Sequence, residues 1–204
     1  MTESNMKLED VQAHARNALD QSPAGHIPAV ERQRMWTALG PVSSDPEHRP
    51  ISSHHLSRIY LLTECIRTSI DIWNEEQSRS LEPLLNQEDT PAAALSYIRD
   101  WVAGVYTPTR FASIVSRYDD LTFYYADLHE KHPRAELIAH AASHAMWVAQ
   151  WDLPSDYPSD YMEEDDDVFP GDFTIAWVMS GGAPWDPDPS GQGAIARRRF
   201  WLWY

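Results

Sequence analysis

Several common protein classes are excluded by what this 204-residue sequence lacks. Its one cysteine, Cys65, cannot form an internal disulfide framework, and residence in the cytoplasm is the expectation. No run approaches the roughly 18 apolar residues of a membrane span, and the first ten residues are polar, without the apolar stretch of a secretory signal. Positive charge is scarce: 16 Lys and Arg stand against 31 Asp and Glu, a formal net charge of -15. The deficit is local, because residues 135–195 contain no Lys or Arg and twelve Asp or Glu. A phosphate backbone is repelled by such a balance, so neither nucleic acid nor membrane is an expected partner. What is present is ordinary for a globular chain, 43% hydrophobic and 23% charged, and long enough to bury one core as a single domain over residues 1–204.

Alternating strand patterns are also missing, and helical signals dominate. Pro28 and Gly40 bracket a short helix. Ser52 and Ser53 can cap a longer one in which Leu56, Ile59, Leu62, Ile66, Ile70 and Trp73 recur every three or four residues. Thr90-Pro91 opens a helix with Leu95, Ile98, Trp101 and Val102 inward and Gly104 as its stop. Thr107-Pro108 opens another, carrying Phe111, Ile114, Val115, Tyr118, Tyr125 and Leu128, and His132-Pro133 opens an Ala-rich third through Trp151. Each Pro sits where the first-turn N–H lacks an intrahelical acceptor, so its missing donor costs nothing. Residues 152–172 and 181–193 read as loops rich in Asp, Pro or Gly. The segment 173–179 between them suits a short strand or a helix equally, and a terminal helix carries Phe200, Trp201, Trp203 and Tyr204, all expected to pack. The expected fold is all-α, a bundle of six to eight helices with a long acidic loop before a C-terminal aromatic helix.

Residue patterns for catalysis are sparse. His140 and His144 are four apart on one helix face, and His54 and His55 open the long helix, so a metal-dependent bundle enzyme is one alternative. No His-Glu-x-x-His and no paired Glu-x-x-His elements accompany them. Ser180-Gly-Gly182 and Gly191-Gln-Gly193 lack the Lys-Ser/Thr of a phosphate loop, and Cys65 lies beside an apolar stripe, where thiols are packing residues. No catalytic residue, metal ligand or cofactor is therefore assigned.

The run at residues 157–167 is more informative. Asp160, Glu163, Glu164, Asp165, Asp166 and Asp167 are interleaved with Tyr157 and Tyr161, and Phe169 and Trp185 follow. The alternating spacing and central Gly of a calcium loop are missing. A charge run is commonly a solvated loop. Acidic groups around aromatic anchors also suit contact with a basic protein: the rings supply desolvated area, the charges speed encounter. Tyr157, Asp160, Tyr161, Glu163, Glu164, Asp165, Asp166, Asp167 and Trp185 are the candidate partner-binding residues, and an acidic adaptor is a second alternative.

The middle of the chain resembles a known family. Leu62-Thr-Glu-Cys-Ile-Arg67 followed by Ile70-Asp-Ile-Trp73 is similar to the "cysteine, arginine, then Leu-Pro-Ile-Trp/Phe" helix of the immunity protein five family of bacterial polymorphic toxin systems. Pro91-Ala-Ala-Ala-Leu95 with Asp100-Trp-Val-Ala-Gly104, then Ala139-His-Ala-Ala-Ser-His-Ala145, then Arg197-Arg-Arg-Phe-Trp-Leu-Trp-Tyr204 follow in the family's order. The resemblance covers residues 54–151 and the last ten; residues 1–50 and the acidic loop show no counterpart, and Tyr118, Phe123, Tyr124 and Tyr125 replace an Ala-rich stretch. It implies an immunity protein that binds and neutralises a cognate toxin by occluding its active site. The acidic balance suits a basic toxin, such as a nuclease or a nucleotide-binding enzyme.

Overall fold

The computed structural model describes residues 7–41, 51–121, 128, 131–151, 171–181 and 191–204. Among these the architecture is all-helical, without strands. The order is α1 (Leu8–Gln21), α2 (Ala29–Ala38), α3 (Ser53–Arg79), a 3-10 turn (Gln87–Asp89), α4 (Pro91–Val102), α5 (Pro108–Asp120), α6 (Pro133–Trp151), α7 (Gly171–Met179) and α8 (Gln192–Trp203). No helix among the described residues is long and apolar enough to cross a membrane.

Local chemistry sets the helix ends. The Ser52 hydroxyl accepts from the His55 backbone N–H, Thr90 from that of Ala93, and Thr107 from that of Arg110. Each bond satisfies a donor that the first turn leaves without a partner. Pro91 and Pro108 occupy the first turns of α4 and α5 as expected, whereas Pro28 serves as the N-cap of α2. The segment left open between strand and helix is helical, as α7, which claims the last two positions of the anticipated acidic loop.

α6 is the axis of the molecule. It packs against α3, α4, α5 and α7, and from residue 135 to 149 only His140, His144 and Trp147 escape full burial. Its inward positions are largely Ala, with Leu137, Ile138, Met146 and Val148, so neighbouring helices approach closely. The core continues through Leu62, Ile66 and Trp73 of α3, Ile98 and Trp101 of α4, Phe111 and Tyr118 of α5, and Ile175 and Val178 of α7. α1 contributes Ala15 and Leu19, and α8 contributes Phe200 and Trp201.

A helix surrounded in this way must satisfy its terminal carbonyls from inside the protein. The His55 Nε2–H donates to the Val148 carbonyl at 2.6 Å, and the Trp101 indole N–H donates to the Ala149 carbonyl at 2.8 Å. Both carbonyls belong to the last turn of α6, which has no intrahelical donors to offer them. A carbonyl only accepts, so His55 carries its proton on Nε2. The Trp101 ring also stacks on Phe111, with centroids 4.5 Å apart.

Five expectations change. Leu56 is 38% exposed, because the buried face of α3 is turned toward His55, Arg58, Cys65, Ser69 and Glu76. Val102, at the end of α4, is exposed to the same extent. Trp151 and Trp203 are 41% and 50% exposed, since each falls in the last turn of its helix, past the neighbours that cover earlier turns. α5 ends at Asp120 with Leu121 as its cap, short of the anticipated Tyr125, which lies outside the described residues.

The capping role of Trp101 is testable. Trp101→Phe keeps an aromatic ring against Phe111 and leaves the Ala149 carbonyl without its donor. A loss of about 1–3 kcal/mol in chemical denaturation, with helical content unchanged, is the expected outcome.

Candidate functional site

The candidate partner-binding residues Tyr157, Asp160, Tyr161, Glu163, Glu164, Asp165, Asp166, Asp167 and Trp185 lie outside the described residues. The structure does define what borders them. The acidic stretch leaves the end of α6 at Trp151 and rejoins the fold at α7, and these two helices pack on each other. Trp185 lies between α7 and α8, which also pack together.

His54 and His55 are engaged in structural bonds. His54 Nδ1 lies 2.7 Å from the Leu39 carbonyl, and His55 spans to α6 as described. His140 Nε2 is 3.6 Å from Glu136 one turn earlier, and His132 Nδ1 is 3.3 Å from Glu76. Spacing correctly placed His140 and His144 on one side of their helix, where both are partly buried. Among the described residues no group of three or more His, Cys, Asp or Glu is arranged to hold a metal ion. Cys65 is wholly buried in the core, away from attack.

Buried charge is what sequence reasoning passed over. Arg58 is fully buried; it donates to the carbonyls of Gly40 at 3.0 Å and Pro41 at 3.1 Å, with Trp36 6.0 Å from its guanidinium carbon. It thereby fastens the chain leaving α2 onto α3. Glu76, near the other end of α3, receives Arg79 at 3.0 Å and His132 at 3.3 Å, which anchors the start of α6. Asp89 is buried beside Arg117, Nε to Oδ1 2.9 Å, an ion pair without the alignment of a hydrogen bond. Arg117 also donates to the Glu88 carbonyl at 3.0 Å, and the Tyr118 hydroxyl donates to the Thr90 carbonyl at 3.0 Å. A signal existed in α3: Arg58, Leu62, Cys65, Ser69 and Glu76 share one helical stripe, so its polar members had to be inward.

A second polar cluster joins the two ends of the fold. Arg198 donates to the carbonyls of Leu19, Asp20 and Ser22, the last at 2.7 Å, and so covers the C-terminal end of α1. Exposed carbonyls and helix dipole both favour a cation there. Arg197 donates to the Ala24 carbonyl at 2.8 Å and stands 3.9 Å from the Trp177 ring centroid. Trp201 donates its indole N–H to His26 Nδ1 at 3.1 Å. Burial, with Arg197 and Arg32 adding positive charge, pushes the His26 pKa down to about 3. Gly25 makes the approach possible: its φ is +71°, and a Cβ there would lie 2.1 Å from the Ala194 carbonyl oxygen.

Two outcomes follow from this cluster. His26 is neutral when folded and titrates near 6.5 when unfolded, so its contribution is complete above about pH 6.5 and is lost as pH falls toward 3. Thermal melts of wild type should drop over that window, and His26→Gln, which keeps an acceptor but does not titrate, should flatten the drop. Gly25→Ala should cost more than the roughly 1–2 kcal/mol of the left-handed backbone alone, because a backbone oxygen blocks the methyl; denaturant titration reads it directly.

Comparison with known families agrees with the motifs quoted above. The family model described as Immunity protein Imm5 matches residues 13–204. Comparison with individual curated proteins gives no significant match. The match begins within α1 and runs through the acidic stretch to the last residue, so residues 13–50 and that stretch, which motif reading left without a counterpart, lie inside it. The chain belongs to the Imm5 family of immunity proteins.

Proposed function

We propose that this chain binds its cognate toxin one to one and neutralises it by occluding the active site, without catalysis of its own, in the cytoplasm of the producing cell. The observation that carries the reading is the Imm5 match over residues 13–204, a family whose members confer immunity by its own description. The charge distribution supports a basic toxin, a nuclease or a nucleotide-binding enzyme, since twelve of the fifteen net negative charges fall between residues 135 and 195. Carboxylates of the acidic stretch can occupy positions meant for phosphate, and their field raises the rate of encounter. On this reading Tyr157, Tyr161 and Trp185 are the desolvated anchors, and Asp160, Glu163, Glu164, Asp165, Asp166 and Asp167 steer and orient. The buried networks hold the frame from which that segment is presented.

Co-expression with the toxin encoded beside this gene tests the reading, scoring complex formation and survival together. The expected result is a stable one-to-one complex with rescue. Alanine across residues 163–167 should slow association about tenfold or more at low salt and reduce its salt dependence, because the steering field is the term removed. Survival without a complex would instead indicate reversal of the toxin's damage and would defeat occlusion.

A further inference from the structure

Between residues 135 and 149 the central helix shows only one side to solvent, and that side only in part. Along α6, Glu136, His140, His144, Trp147 and Trp151 recur at intervals of four, four, three and four, which places them on one side of the helix. Glu136 is buried, His140 and His144 are half-buried, and Trp147 and Trp151 are 37% and 41% exposed. Every residue between 135 and 149 outside this strip is buried. One side of it is bordered by α5, to whose Tyr118 carbonyl the Ser143 hydroxyl reaches at 3.4 Å. The strip needs no aromatic side chain for the bundle to close, because Ala and aliphatic residues on the other sides of α6 fill the core. Two large indoles are nevertheless partly exposed toward the end of the most buried helix.

Resting on the toxin-binding reading, we propose that this side of α6, centred on Trp147 and Trp151, is the apolar part of the surface that docks the toxin. The occupant is a basic protein face that inserts aliphatic or cationic side chains over the two indoles. Two observations support that partner. The chain passes from Trp151 directly into Asp152, Asp156, Asp160 and the run at 163–167, with no Lys or Arg before residue 197, so the indoles sit at the root of the most acidic part of the sequence. Indole faces are also the best aromatic acceptors of Arg and Lys, and Trp is among the residues that dominate interface energetics when water is excluded. The division of labour follows: the acidic stretch sets how fast the partners meet, and the strip sets how long they stay. Tyr60, Leu202 and Trp203 are exposed as well, but they lie on other helices and do not adjoin that stretch in the sequence.

The test is kinetic and uses the full chain with an inactivated toxin domain encoded beside it. The double variant Trp147→Ala, Trp151→Ala should raise the dissociation rate about tenfold or more while leaving the salt dependence of association unchanged. Alanine across 163–167 should do the reverse. Should the double variant fold poorly by circular dichroism, oxidative footprinting of the wild-type complex reads the same surface, with protection expected at Trp147 and Trp151. A complex whose dissociation and footprint are indifferent to these two residues overturns the strip and leaves the toxin-binding reading standing. No complex with the wild-type chain overturns both. A homodimer that the double variant dissolves assigns the strip to a second copy of this chain and overturns the inference.

Discussion

The satisfaction of the carbonyls at the end of α6 is the constraint on which the arrangement depends. A helix wrapped by four others gains apolar burial along its length, but its last turn carries acceptors that water cannot reach. His55 from α3 and Trp101 from α4 supply donors to adjacent carbonyls at Val148 and Ala149, and both bonds fix those helices in register against α6. The donors are themselves held. The His55 backbone N–H bonds to the cap residue Ser52, and Trp101 stacks on Phe111. Leaving either carbonyl unmet would cost more than the bond adds, since an unsatisfied buried acceptor bears its full desolvation penalty.

The same logic accounts for the buried charges. Arg58, Glu76, Asp89 and Arg197 are not placed in apolar surroundings as isolated ions; each touches the backbone or an oppositely charged group of another element. A guanidinium carries donors in a planar fork, so one side chain closes several orphan carbonyls at once. Arg58 does this where α2 gives way to α3, and Arg198 does it where α1 ends. These contacts join segments distant in sequence, which is how a chain with long connections keeps its helices in one arrangement. They hold the frame: His54, His55 and the buried arginines each tie a side chain to a carbonyl of a distant segment.

Helix starts were legible because they depend on neighbours in sequence. Thr90-Pro91, Thr107-Pro108 and Ser52 each bond within three residues, so the pattern alone suffices. Helix faces were less legible. Leu56 reads as part of an apolar stripe but is exposed, whereas Arg58 reads as solvent-facing and is fully buried. Hydrophobicity marks which residues prefer the interior, and it is silent about a carbonyl some twenty positions away that makes an arginine welcome there. The candidate site divides in the same manner. Its acidic, aromatic composition is plain in the sequence, while the exposure of Trp147 and Trp151 at the end of a buried helix is not, because Ala-rich segments with aromatics every few turns pack inward as readily as outward.

The sequence by itself determined the all-α class, the Pro-initiated helices, the acidic excess confined to one stretch, and the motifs of the immunity family, all of which rest on local propensity, composition or residue order. Only the tertiary structure decided that His54 and His55 serve carbonyls, that α1 and α8 are clasped through Arg197, Arg198 and Gly25, and that Trp147 and Trp151 of α6 are partly exposed. The physical reason is range: capping and periodicity act over three or four residues, whereas satisfying a buried polar group recruits whichever distant segment can reach it.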